Sequence, residues 1–205
     1  MIELYTWSTP NGRKVSIMLE ECALPYNVRK INIGTNSEQF APEYLKINPN
    51  GKIPSIVDPD GPGGKPIAMM ESGAILIYLA DKVKKFFPQS QKYPVLQWLM
   101  FQMGGVGPMF GQAHHFMRAK KDEVPYGSER YGNEAKRLYG VMDKHLASHE
   151  HFADEYSIAD MAIYPWTARY EWHRVDIAGF KNVKGWYDKV GARPAVVKGM
   201  AVPAV

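Results

Sequence analysis

Residues 5–15, "YTWSTPNGRKV", carry the chain from an apolar strand, Ile2–Tyr5, into a helix over Arg13–Glu21. On the helix side Val15, Met18, Leu19 and Cys22 share one apolar face at i, i+3, i+4 and i+7. Between the two elements stand Thr9-Pro10-Asn11-Gly12. A helix start needs a cap, and Thr or Asn supplies one. The same place, at the positive end of the helix dipole, can also hold a thiolate. Local chemistry leaves both readings open. A strand that turns tightly into a helix is the first half of a βα unit, and a second strand is expected after it.

Working outward, strand and helix signals alternate over the first 80 residues. Tyr26–Asn32 is β-rich, and Ser37–Ile47 reads as a short helix interrupted by proline. Ile53–Asp58 and Ile67–Met70 form a hairpin around the breaker-rich "DPDGPGGKP", and Ser72–Lys82 is a helix. The order β-α-β-α-β-β-α predicts an α/β layer with a mixed sheet. Strand signals fade after residue 85, and "KKFFPQSQKYP" is a linker. Val95–Arg118 is aromatic and methionine-rich, with a break expected at Gly104-Gly105-Val106-Gly107-Pro108. Ser128–His149 is helical, "YSIAD" opens another helix through a Ser157/Asp160 capping box, and Phe180–Val190 and Pro194–Met200 are short helices. The domains expected are an α/β domain over 1–84, a linker over 85–92 and an all-helical domain over 93–205.

With 205 residues, 45% of them hydrophobic, the chain can bury a sizeable core. Its longest apolar run, near Ala74–Ala80, is too short to cross a bilayer. Its first residues read as a strand and not as a signal peptide, so a cytoplasmic protein is expected. The net charge of +4 is dispersed, which argues against nucleic acid and is compatible with small anions. The single cysteine, Cys22, excludes an internal disulfide and is read as packing. Any thiol chemistry must therefore draw its sulfur mainly from outside. His114-His115 lack a third ligand at a sensible spacing, so no metal is expected.

Two further stretches carry candidate chemistry. In "NPNGKIPSIVD" the proline of Ile53-Pro54 stands where a strand should begin. It marks either an ordinary strand entry or a cis bond, which would turn the Ile53 backbone outward toward a peptide-like ligand. In "MMESGAILIYLA", Glu71-Ser72 precedes a helix. Ser72 caps it while Glu71 complements the dipole, or the pair holds a zwitterion. In that case a carboxylate binds at the Ser72 N–H and hydroxyl, and an ammonium faces Glu71.

Taken jointly, these stretches and the helical second half resemble the glutathione transferases, which have a thioredoxin-like α/β N-terminal domain and an all-α C-terminal domain. "TPNGRKV", "NPNGKIPSIVD", "ESGAILIYLA", "QWLMFQMGGVGPMFGQAHHF" and "PYGSERY" look like the nu class, a bacterial group related to the yeast nitrogen-regulatory prion protein. The resemblance implies a homodimer that uses glutathione or glutathione disulfide. It also implies glutathione-dependent reduction of disulfides, with some peroxidase activity on hydroperoxides and weak conjugation. A conjugating transferase and a non-catalytic glutathione-binding regulator are the alternatives.

The resemblance also bears on the first helix mouth. Where redox members of the fold place Cys-Pro, this chain has Thr9-Pro10, which cannot form a mixed disulfide. Thr9 and Asn11 can each donate a hydrogen bond to a bound sulfur; Tyr5, in the strand, is the lesser candidate. Carried over by the same match, Gln39, Lys52, the Ile53 backbone, Glu71 and Ser72 line the glutathione site, with Lys52 suited to the glycyl carboxylate. Arg130, in "SERY", reaches the site from the partner subunit.

Overall fold

The computed structural model describes residues 1–204. The chain divides into two compact units: Met1–Lys85 together with the chain from Pro194 on, and Phe86–Arg193.

The first unit is built on β1 (Ile2–Thr6), β2 (Tyr26–Lys30), β3 (Ser55–Asp58) and β4 (Ile67–Met70), in the sheet order β2-β1-β3-β4. β1 pairs parallel with β2 and antiparallel with β3, and β3 pairs antiparallel with β4, so the sheet is mixed as expected. The parallel pair is joined by α1 (Pro10–Glu21), a βαβ crossover. Along β1, Ile2, Leu4 and Thr6 are buried and alternate with half-buried residues, the period-2 pattern of a strand covered on one face. Edge strand β2 is largely exposed and ends in Arg29 and Lys30, charges that oppose edge-to-edge pairing. The region read as one interrupted helix holds a 3-10 turn, Glu38–Phe40, and the single-turn α2 (Pro42–Leu45). α3 (Ser72–Val83) follows β4 and packs against α1. Val15, Met18, Leu19, Ile56, Ile75, Leu76 and Leu79 form the core between these elements.

α9 (Pro194–Met200) also belongs to this unit. It lies along α1, where Ser16 Oγ donates to the Gly199 carbonyl at 2.7 Å. A Cβ on Gly199 would meet Ile17 Cα at 2.5 Å, so only glycine permits this approach. The helical domain expected over 93–205 thus gives up its last segment. The expected linker 85–92 is also divided: Phe86 O accepts from Ile158 N at 3.0 Å within the second unit.

The second unit holds α4 (Lys92–Phe101), α5 (Gly107–His114), α6 (Pro125–Leu146), α7 (Ile158–Thr167) and α8 (Lys181–Gly191). The break expected at Gly104–Pro108 does not occur. The helix widens into a π turn over Gln102–Val106 and continues as α5. Pro108 donates no N–H, and a wider turn absorbs such a position without ending the helix. Before α7, Ser157 and Asp160 form the expected capping box. Asp160, fully buried, also accepts from Phe152 N at 3.2 Å and Trp186 Nε1 at 2.8 Å, tying the α7 start to α8.

Candidate functional site

In the first unit, a pocket of about 150 Å³ is lined by Asn11, Asn48, Asn50, Lys52, Ile53, Pro54, Glu71 and Ser72. It gathers five of the residues singled out from sequence (Asn11, Lys52, Ile53, Glu71 and Ser72) from three separate stretches of chain.

Asn11 comes from the first turn of α1. Thr9 is the N-cap of that helix, with extended φ/ψ, and its hydroxyl accepts from Gly12 N at 3.2 Å. Thr9 therefore caps the helix, but that bond uses only an acceptor lone pair and leaves the O–H proton to donate elsewhere. The cap and thiolate readings are compatible. Gly12 is required for a different reason. A Cβ there would stand 2.3 Å from Thr6 Oγ1 and 2.6 Å from Trp7 O, so glycine lets the helix start this close to the end of β1.

Ile53-Pro54 is cis. Ile53 lies two residues before β3, outside the ladder that begins at Ser55. The carbonyl just before it is held twice: Lys52 O accepts from Tyr44 Oη at 2.5 Å and from Asn48 Nδ2 at 2.7 Å. Asn48 also bonds Ser55 Oγ at 3.1 Å and accepts from Asn50 N at 3.0 Å. In the sequence, Asn48-Pro49-Asn50-Gly51 is turn chemistry and nothing local marks Tyr44. Yet these two fix the backbone on which Lys52 and Ile53 are presented.

Glu71, not Ser72, occupies the N-cap of α3, and Glu71 makes no side-chain cap bond. Its φ of 67° lies in the left-handed region, where a non-glycine residue is strained. Ser72 is the first helical residue and does not cap; its Oγ accepts from Lys14 Nζ at 3.4 Å. Lys14 is 1% exposed, and burial lowers its ammonium pKa to about 7, with Glu71 partly opposing the shift. Sequence reasoning passed over Lys14. The available signal was a lysine at i−3 and i−4 from Ile17 and Met18, on the buried stripe of α1.

Gln39 stands in the 3-10 turn and does not line the pocket; its Oε1 is buried without a partner. Arg130 lies on α6 in the second unit, exposed beside a cavity of about 440 Å³ with Met109, Tyr131, Asn133, Glu134 and Arg137. Tyr5 sits in β1 with its ring 5.9 Å from that of Tyr44. Cys22 is the C-cap of α1, half-buried and not fully packed away as expected. Burial pushes its thiol up to about 11, which leaves it almost wholly protonated near neutral pH. Among the described residues no three His, Cys, Asp or Glu side chains gather as a metal would need, and no helix is long and apolar enough to cross a membrane.

The pocket offers one cation (Lys52), one anion (Glu71), a hydroxyl at a helix N-terminus (Ser72), amides (Asn11, Asn50) and a backbone outside the ladder (Ile53). That set is complementary to a short extended peptide with a free carboxylate and a free ammonium.

Comparison with known proteins agrees. Residues 9–82 match the family model "Glutathione S-transferase, N-terminal domain", and residues 109–194 match "Glutathione S-transferase, C-terminal domain". The chain is 45% identical to the disulfide-bond oxidoreductase YfcG of Escherichia coli, over 95% of this chain and 92% of that protein. A glutathione transferase from Pseudomonas putida, solved with one glutathione disulfide bound per subunit, superposes with a TM-score of 0.93. It is 47% identical, and the match covers 98% of this chain and 91% of that one. A family member from Pseudomonas fluorescens, solved with two glutathione molecules bound, gives a TM-score of 0.93 at 48% identity, covering 98% and 93%. The chain belongs to the glutathione S-transferase family.

Proposed function

We propose that this protein is a glutathione-dependent disulfide-bond oxidoreductase of the nu class, acting as a homodimer. The observation that carries the reading is the pairing of a peptide-shaped polar pocket with a helix mouth that bears Thr9 and Asn11 and no cysteine. Lys52 takes the glycyl carboxylate, the Ile53 backbone pairs with the peptide, and Ser72 and Glu71 take the γ-glutamyl carboxylate and ammonium. Arg130, exposed on α6, serves the site of the partner subunit. Thr9 and Asn11 donate hydrogen bonds to the sulfur, favouring its thiolate. The thiolate attacks a substrate disulfide, releasing one thiol. A second glutathione then displaces the mixed disulfide, so that two glutathiones are oxidised to glutathione disulfide and the substrate gains two electrons and two protons. No protein sulfur enters the cycle.

Side-by-side turnover of a model disulfide, an organic hydroperoxide and a chlorinated aromatic with glutathione tests the reading. Disulfide reduction should be fastest, hydroperoxide reduction measurable and conjugation weak. Dominant conjugation would instead mark a conjugating transferase, and binding without turnover a regulator. Cys22→Ala should keep most of the disulfide-reductase rate, since that thiol is held protonated at the C-terminal end of α1. Loss of nearly all turnover in a folded variant would show that Cys22 reacts.

A further inference from the structure

Lys14 is a fully buried lysine that the proposed mechanism does not use. Its Nζ lies 3.4 Å from Ser72 Oγ, on the protein side of a hydroxyl that lines the pocket. Ser72 Oγ is thus reached by Lys14 from the interior while Ser72 lines the pocket. The ammonium thus stands one hydroxyl behind the place where a ligand carboxylate would sit.

We propose that Lys14 is a positioning residue that holds Ser72 Oγ from the buried side and takes up a proton as a carboxylate-bearing ligand binds, coupling affinity to pH. This rests on the reading of the pocket as a glutathione site. Removed from water, an ammonium loses part of its preference for the charged form, and burial brings Lys14 to about 7. Of the charged groups nearby, Glu71 acts on it from the mouth of α3. On its own helix Arg13 reaches Ser8 Oγ at 3.2 Å. In β1, Glu3 pairs with Arg29, and in α3, Lys82 pairs with Asp58. Lys198 of α9 is exposed, as is Lys52 at the pocket. A carboxylate on Ser72 adds a negative charge roughly 6 Å from Nζ. At an effective dielectric of about 20 that raises the proton affinity of Lys14 about a hundredfold.

Because the pKa is higher in the complex than in the free protein, affinity is greatest below about pH 7 and declines as pH rises toward the value in the complex. S-methylglutathione is the probe, because it has both carboxylates and the amine but no thiol to titrate. Calorimetry in two buffers of different ionisation heat should show uptake of about half a proton at pH 7 and about 0.8 at pH 8. Affinity should fall about fivefold between those pH values. Lys14→Met should bind at least about tenfold more weakly at pH 7, with no uptake and a flat profile. Lys14→Arg, permanently charged, should also lose the uptake while still binding at pH 8. If the wild type takes up no proton, or a folded Lys14 variant takes up as much as the wild type, the proposal is wrong. If S-methylglutathione does not bind at all, the glutathione-site reading fails instead. Should neither variant fold, proton uptake and pH slope in the wild type decide.

Discussion

Thr9→Ala should lower disulfide-reductase turnover about ten- to hundredfold while glutathione affinity changes little. One charge-assisted hydrogen bond to the sulfur contributes about 1.5–3 kcal/mol, and its loss is felt where the thiolate must form. The rest of the ligand stays anchored by Lys52, Glu71 and Ser72, which line the pocket independently of Thr9. An ordinary thiol has a pKa of about 8.5, so the rate profile of the variant should move toward higher pH. Asn11→Ala should act in the same direction. Because Thr9 also accepts from Gly12 N, its removal costs the helix a cap, roughly 1 kcal/mol, which a thermal melt reports separately. Thr9→Ser keeps both functions of the hydroxyl and should restore rate and profile. The thiolate absorbance of bound glutathione, titrated in each variant, is the direct check. If Thr9→Ala and Asn11→Ala both leave that titration and the rate at wild-type values, the two residues only start a helix.

Asp160→Ala should be the most destabilising single change in the helical unit. Asp160 Oδ2 accepts from Ser157 N at 3.0 Å and Ser157 Oγ at 3.2 Å, while Oδ1 accepts from Phe152 N and Trp186 Nε1. All of these groups are buried. Removing the carboxylate strands several donors at once, each at about 1–3 kcal/mol, and removes the capping box. A total loss of about 3–5 kcal/mol is expected, which for a chain of this size lowers the melting temperature by about 10 °C. Asp160→Asn preserves shape and one acceptor and should fall between the two. Thermal unfolding followed by circular dichroism measures it. A melting temperature within about 2 °C of wild type would mean that the capping box contributes little to the unit.

Both predictions begin from features that local sequence carries. The Ser157/Asp160 box is a three-residue relation read correctly, and the Thr9 cap is one of the readings left open at the first helix mouth; both are local because a cap satisfies the backbone of its own helix. The strands of the first unit were legible as short apolar or β-rich runs and, for β3 and β4, from the breaker-rich turn between Asp58 and Ile67. Ile53-Pro54 was marked by a proline where a strand should begin. The same close-range logic failed at the mouth of α3. Ser after Glu before an apolar run reads as a cap, but the backbone enters the helix at Glu71 with φ 67° and engages Ser72 with Lys14 instead.

The sequence by itself determined the element order and mixed sheet of the first unit, the capping box of α7 and the residue types able to hold a zwitterionic peptide near a helix mouth. These depend on periodicity and on groups a few residues apart, where chain connectivity already limits the geometry. Only the tertiary structure decided what lies behind that site. Lys14 and Ser72 are 58 residues apart, and Ser16 and Gly199 are 183 apart. No local pattern reveals that one lysine is dehydrated beneath the pocket, or that α9 returns to lie on α1. Burial is a property of the assembled core, and the charge on Lys14, its contact with Ser72 and the fit of Gly199 exist only once that core has closed around them.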